Sequence, residues 1–190
     1  MKVVALTLVL GGLMLAGDFA LAQDRAAGRK VAGMCRTCHG LDGVARIPIA
    51  PHIGGEPSDY LENQLRSFRD GTREHEMMSV VARGLTDDQI ANVSAWYAGH
   101  RVEVSAPDTA AAPETCLGCH GADGLGLAED VPHLAGEASL YIDTQLKAFK
   151  RGKRVHDIMS GIAAELSDSE IRAIANYFAD VKITVTQVDP

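Results

Sequence analysis

Apolar side chains recur along this chain at helical intervals, and they do so twice. Leu61, Leu65 and Phe68 fall on one face of a helix that Ser58 would cap and Gly71 would end. Ile142, Leu146 and Phe149 repeat that stripe between Ser139 and Gly152. Thr86-Asp87-Asp88-Gln89 has the form of a capping box, with Ile90, Val93 and Tyr97 behind it at helical spacing. Ser167-Asp168-Ser169-Glu170 stands in the same way before Ile171, Ile174 and Phe178. Asp24 to Met34 carries Ala, Lys and Arg in helix-favouring density. No stretch shows convincing strand alternation, so the pattern predicts an all-α fold. Ser105 to Thr115 is rich in Ala and Pro and reads as a linker.

These paired patterns belong to one unit written twice. Cys35, Cys38, His39, Gly40, Asp42 and Gly43 recur 81 residues later as Cys116, Cys119, His120, Gly121, Asp123 and Gly124. The same offset carries Pro51, His52, Gly55 and Glu56 onto Pro132, His133, Gly136 and Glu137. It also carries Tyr60, Gln64, Arg73, His75 and Met78 onto Tyr141, Gln145, Arg154, His156 and Met159. Duplication of a whole domain gives that register. The expected boundaries are 23–104 for the first domain, 105–115 for the linker and 116–190 for the second domain. One difference stands out. The first unit has a full helical segment before its cysteines, whereas the second has a linker broken by Pro107 and Pro113. A helix there should be a single turn or absent, leaving that side of the second unit less covered.

The first 22 residues differ from the rest. Lys2 precedes an apolar run from Val3 to Gly17, and Ala20-Leu21-Ala22 offers a small-x-small cleavage site. The run is shorter than the about 20 residues that span a bilayer. It reads as a signal peptide over 1–22, which places the mature protein in the periplasm. The alternative is an uncleaved anchor that would hold the protein at the membrane periphery.

Composition narrows the chemistry. The chain has 190 residues, 46% hydrophobic and 23% charged, so it is globular in type. Aromatics are only 5%, and two domains of about 80 residues have thin cores of their own. A large apolar macrocycle in each would fill that deficit. The formal net charge of -7 argues against a nucleic-acid partner and suits a basic docking surface on a redox protein.

All four cysteines lie in Cys35-Arg36-Thr37-Cys38-His39 and Cys116-Leu117-Gly118-Cys119-His120. Both motifs read C-x-x-C-H, the attachment signature of c-type haem. Two thiols on one helical turn can each bond a vinyl group of one porphyrin, and the next residue, histidine, then lies under the iron. The expected cofactors are two covalently attached haem c groups. A four-cysteine zinc site is the alternative, but it leaves the two histidines without a purpose.

A second axial donor decides the chemistry of each iron. Met159 is the only methionine after Met78, and the repeat offset joins the two. Met77 aligns with Ile158 and reads as a packing residue, so Met78 is the candidate ligand. The candidate iron ligands are therefore His39 and Met78, and His120 and Met159. A thioether favours ferrous iron and suits electron transfer. His52 with His133, or His75 with His156, would instead give bis-histidine iron. The carbonyls of Pro51 and Pro132 are the expected acceptors for the axial histidines' other ring nitrogens. Arg73 and Arg154 are placed to pair with haem propionates. Tyr60 with Gln64, and Tyr141 with Gln145, share helix faces and either bond a propionate or simply pack.

On these motifs, on Pro51-His52-Ile53-Gly54-Gly55 and Pro132-His133-Leu134-Ala135-Gly136, and on the two methionines, the chain resembles class I dihaem cytochromes c of the c4 type. It is also similar to the dihaem subunit of flavocytochrome c sulfide dehydrogenase. The resemblance implies two tandem cytochrome c domains related by a pseudo-twofold axis, with propionate edges facing each other. It implies a non-catalytic, exported electron carrier, or a haem subunit of a dehydrogenase complex. The partners would be redox proteins: a dehydrogenase or flavoprotein donor, and a terminal oxidase or cytochrome acceptor. A dihaem peroxidase or thiosulfate oxidase would need an open or unusual ligand site, which paired methionines do not provide.

Overall fold

The computed structural model describes residues 24–105 and 109–187. The signal peptide expected over 1–22 and Pro107 of the linker lie outside the described residues.

The first unit runs α1 (Arg25–His39), α2 (Ser58–Asp70), α3 (Met78–Arg83), α4 (Asp87–Ala98) and β1 (His100–Ser105). After a short 3-10 turn at Thr109–Ala111, the second runs α5 (Glu114–His120), α6 (Ser139–Lys150), α7 (Met159–Glu165), α8 (Asp168–Asp180) and β2 (Lys182–Gln187). The order is the same in both. Thr86 and Ser167 cap α4 and α8 in complete capping boxes, as the sequence indicated. Ser58 and Ser139 do not act as caps. They are the first helical residues, behind Pro57 and Ala138, and the Ser58 hydroxyl is buried without a partner. Gly71 ends α2 in the left-handed conformation, at φ 81°.

Each unit has its own core. Ala32, Leu61, Val93, Trp96 and Tyr97 form the first, and Ile142, Leu146, Ile171, Ile174, Ala175 and Phe178 form the second. These are the stripes on α2, α4, α6 and α8 turned inward.

The expectation of no strands is corrected. β1 and β2 pair antiparallel, from His100 opposite Gln187 to Ser105 opposite Lys182. Two six-residue strands have little stability by themselves. Here the ribbon is seated on glycines. A Cβ on Gly55 would run into Val102, and a Cβ on Gly54 or Gly136 would run into Val185 or Ile183. The tail of each unit thus pairs with the tail of the other, over the loops that follow the two Pro-His dipeptides. No described helix is long and apolar enough to cross a membrane.

Candidate haem centres

Both C-x-x-C-H motifs lie at the ends of helices. Cys35 and Cys38 occupy the last turns of α1, and His39 is its final residue. Cys116, Cys119 and His120 hold the same places in α5. The chain then turns sharply. Gly43 at φ 79° brings its carbonyl back to accept from Ile53 N and Gly54 N, at 2.8 and 3.2 Å. Gly124 does the same for Leu134 N and Ala135 N, at 2.7 and 3.1 Å. This fold-back carries each proline carbonyl to its histidine. His39 Nδ1 lies 2.9 Å from Pro51 O, and His120 Nδ1 lies 2.9 Å from Pro132 O. A carbonyl can only accept, so each Nδ1 carries the proton and each Nε2 keeps its lone pair for a metal. Both histidines are buried, and burial holds their pKa values below the usual range, in favour of the neutral imidazole that ligates iron.

The methionines are delivered by a device that the sequence did not disclose. Met78 and Met159 are the first residues of α3 and α7. His75 Nδ1 accepts from the amides of Met77 and Met78, at 3.3 and 3.4 Å. His156 Nδ1 accepts from Ile158 and Met159, at 3.2 and 3.3 Å. The amides of the same two histidines donate to Ser79 Oγ and Ser160 Oγ, at 3.0 and 2.9 Å. Each ring also stands edge-on to a core phenylalanine, Phe68 or Phe149. His75 and His156 therefore cap the methionine-bearing helices, which accounts for their recurrence. Met159 packs with Cys116 against the second core. Met77 is 61% exposed and Ile158 59%, so neither packs into the protein core.

His52 and His133 are also occupied, and they join the two units. His52 Nδ1 accepts from Ala45 N at 2.9 Å, which leaves its Nε2–H to donate to Gly136 O at 3.0 Å. His133 Nδ1 accepts from Gly126 N at 2.9 Å, and its Nε2–H donates to Gly55 O at 3.0 Å. Beside them the two arginines interlock. Arg73 donates to Gln145 Oε1 at 2.8 Å and to Gln64 Oε1 of its own unit. Arg154 donates to Gln145 Oε1 and Gln64 Oε1 at 2.8 and 3.0 Å. Tyr141 and Tyr60 hydroxyls accept from Arg73 and Arg154 across the seam. Each guanidinium stacks on the phenylalanine of its own unit.

The residues present fit a haem in each unit. Arg73 is buried, yet among the described residues neither Arg73 nor Arg154 forms an ion pair with a carboxylate. Two adjacent cations on neutral amides call for anions, and propionates have that chemistry. Large apolar side chains left exposed, Ile47, Ile49 and Val80 in one unit and Leu127, Val155 and Ile158 in the other, flank the ligand loops in sequence. All four thiols are unpaired, and burial pushes Cys35 and Cys116 up to about 11, so they are not thiolates at neutral pH. Among the described residues no three His, Cys, Asp or Glu side chains are grouped to hold a metal ion.

The units part at the side flanking the motif. Asp24 caps α1, and a Cβ on Gly28 would run into the Asn92 carbonyl, so α1 lies directly against α4. Trp96 is 4% exposed beneath it and donates Nε1–H to Leu41 O at 3.0 Å. In the second unit α5 has only Glu114 and Thr115 ahead of Cys116, because Pro113 sets its start. Ala173 and Asn176 of α8 stay exposed, and Tyr177, which donates to Ala122 O at 2.7 Å, is half-buried.

Comparison with known proteins agrees with this geometry. Residues 108–178 match the family described as cytochrome c oxidase, cbb3-type, subunit III. Cytochrome c4 of Pseudomonas aeruginosa is 34% identical over 92% of this chain and 95% of its own. A thiosulfate dehydrogenase electron acceptor of Stutzerimonas stutzeri is 33% identical over 77% of this chain and 78% of its own. The crystal structure of reduced cytochrome c4 from Pseudomonas stutzeri superposes with a TM-score of 0.75 at 28% identity, covering 85% of this chain and 100% of that one.

Proposed function

The chain belongs to the cytochrome c4 family, and from that premise we propose that it passes single electrons between redox proteins of the periplasm. The domains are taken as 23–104 and 116–190, joined by 105–115, with residues 1–22 removed on export. Covalent attachment of haem c uses Cys35 and Cys38 in one domain and Cys116 and Cys119 in the other. When bound, each haem supplies a one-electron ferrous–ferric couple. The iron ligands are His39 with Met78 and His120 with Met159.

The observation that carries this reading is the matched pair of buried histidines, each with Nδ1 donating to a proline carbonyl twelve residues on. Pro51 and Pro132 fix the rings and raise their basicity. His75 and His156 hold the first turns of α3 and α7, which sets the approach of the thioethers. Arg73, which is buried, and Arg154, which is half-buried, offer positive charge for propionates. With a histidine and a methionine to hold each iron, no position would remain for a substrate, which supports a carrier rather than an enzyme.

A redox titration followed by visible spectroscopy tests the reading. Two one-electron waves are expected, with the weak iron–thioether absorption band on both oxidised centres. A single wave, or no such band, would overturn it. A second reading, the haem subunit of a dehydrogenase, is favoured by the relative named as a thiosulfate dehydrogenase electron acceptor. Co-purification with a catalytic subunit from the native host distinguishes it from a free carrier.

A further inference from the structure

Two buried carboxyl groups lie at the seam and take no part in the reading above. Glu56 is 5% exposed and Glu137 is 3% exposed. They are equivalent residues of the two units, and Glu56 sits close enough to Glu137 to raise its proton affinity. Among the described residues neither forms an ion pair. Each bonds the backbone of the opposite unit. Both oxygens of Glu56 accept from His133 N, at 3.1 and 3.0 Å. Glu137 in turn accepts from the backbone of His52, and from Ala138 of its own unit, while its Oε2 is buried without a partner.

The peptide groups involved give these contacts a meaning. The His133 N–H and the Pro132 carbonyl belong to one peptide group. That carbonyl is the one that accepts from His120 Nδ1–H. The relay therefore runs from the Glu56 carboxyl, through a single peptide, to the axial histidine of the other unit. The mirror relay runs from Glu137 through the Pro51–His52 peptide to His39. A peptide is readily polarised, and negative charge at its N–H end increases the electron density on its carbonyl. A stronger acceptor draws the imidazole proton, makes the ring a better donor to the metal and favours ferric iron.

We propose that Glu56 and Glu137 are cross-domain positioning residues, each tuning the haem of the opposite domain through the peptide that holds its axial histidine. The proposal rests on the assignment of His39 and His120 as ligands. It makes the two potentials depend on the docking of the domains, since parting the seam would break both relays. Burial pushes the Glu56 carboxyl up to about 8 and the Glu137 carboxyl well above its ordinary value, so the relay strengthens as the solution turns alkaline. The other charged and titratable groups around this seam include His52 and His133, with Asp42 and Asp123 beside them, and Arg73, Arg154, Tyr60 and Tyr141.

The test is a pair of variants, Glu56→Gln and Glu137→Gln, in the haem-loaded protein, titrated potentiometrically at pH 9. The waves are assigned with Met78→His and Met159→His, each of which lowers one potential. Glu56→Gln should raise the potential of the haem on His120, by up to about tenfold in its reduction equilibrium or about 59 mV, and move the other much less. Glu137→Gln should do the reverse. A shift confined to the haem of the same domain, or no shift in either, would overturn the proposal. Nuclear magnetic resonance gives a second readout. The His133 amide proton should lie well downfield in the native protein and move upfield in Glu56→Gln, and an unmoved resonance contradicts the relay. If one variant does not fold, the other still tests it, and the native amide shifts of His133 and His52 serve if neither does. Failure of the ligand assignment is separately visible, as loss of the two waves or the thioether band in the unsubstituted protein.

Discussion

The two halves of this molecule agree where a haem would be held and differ where the chain merely covers it. Histidine, proline carbonyl, fold-back glycine, capping histidine and methionine occur in both, with hydrogen-bond lengths that match within about 0.1 Å. The covering helix does not repeat. α1 has 15 residues and a capped start, whereas α5 has 7 and begins behind a proline. The aromatic residue under it changes from Trp96 to Tyr177, yet both donate to the carbonyl at the equivalent position. The lesson is that the ligand scaffold stands on loops and on the α2/α4 and α6/α8 pairs, which both halves share. The helix that carries the cysteines can shrink to its motif without disturbing them.

The largest break in this symmetry should come from the ligands. Met78→Ala should abolish the iron–thioether band of one centre and leave the other intact. Met77→Ala, at a residue 61% exposed, should leave both bands unchanged. Loss of the band in Met77→Ala would move the ligand by one residue and undo the alignment of the units.

Next is the helix packing. Gly28→Val puts a side chain into the Asn92 carbonyl and should destabilise the protein by about 1–3 kcal/mol in urea unfolding. Thr109→Val, at the equivalent and exposed position of the second unit, should change stability by less than about 0.5 kcal/mol. Equal costs would mean that the second unit is covered in the same way as the first.

The seam should respond to pH. Burial raises Glu56 from 4.5 to about 8 in the folded state, so the native protein binds more protons than the unfolded chain between those values. Its contribution is complete at the acid end of that window and is lost as pH rises towards 8. His52 and His133 are lowered by burial and act in the opposite sense, losing their contribution as pH falls below 6.5. Between about pH 7 and 8 the carboxyl effect dominates, because the histidines are by then largely neutral in both states. Thermal stability should decline there, by at most about 1.4 kcal/mol per pH unit for each proton. Glu56→Gln should flatten the decline, and an unaltered slope would contradict the assignment.

The smallest effect concerns the two aromatic donors. Trp96→Phe and Tyr177→Phe each remove one hydrogen bond, worth about 1 kcal/mol. The loss should be larger at Trp96, which is 4% exposed, than at the half-exposed Tyr177. Urea midpoints of the two variants would show the ranking.

Much of this was legible before the fold was known. The C-x-x-C-H motifs, the 81-residue offset and the distinction of Met78 from Met77 need only the order of residues. The proline carbonyls were legible as well, because ligating histidines need an acceptor and the Pro-His dipeptides recur. The capping role of His75 and His156 could have been found from their place three residues before each methionine, just ahead of a short helix. The strands were not legible, because six residues of β1 gain a partner only from six residues of β2 at the far end of the chain. Nor was the crossing of Glu56 and His133, since nothing along the sequence says which unit's backbone faces which carboxyl. Ser58 and Ser139 misled because proline before one, and a tight loop before both, moves the helix start back by a residue.

The central claim is that each domain holds its iron between a histidine and a methionine with no open face. Exposure of the fully reduced native protein to carbon monoxide at neutral pH tests this most directly. The account predicts an unchanged Soret band at both centres. A Soret shift to that of a carbonyl complex, at either centre, would contradict it.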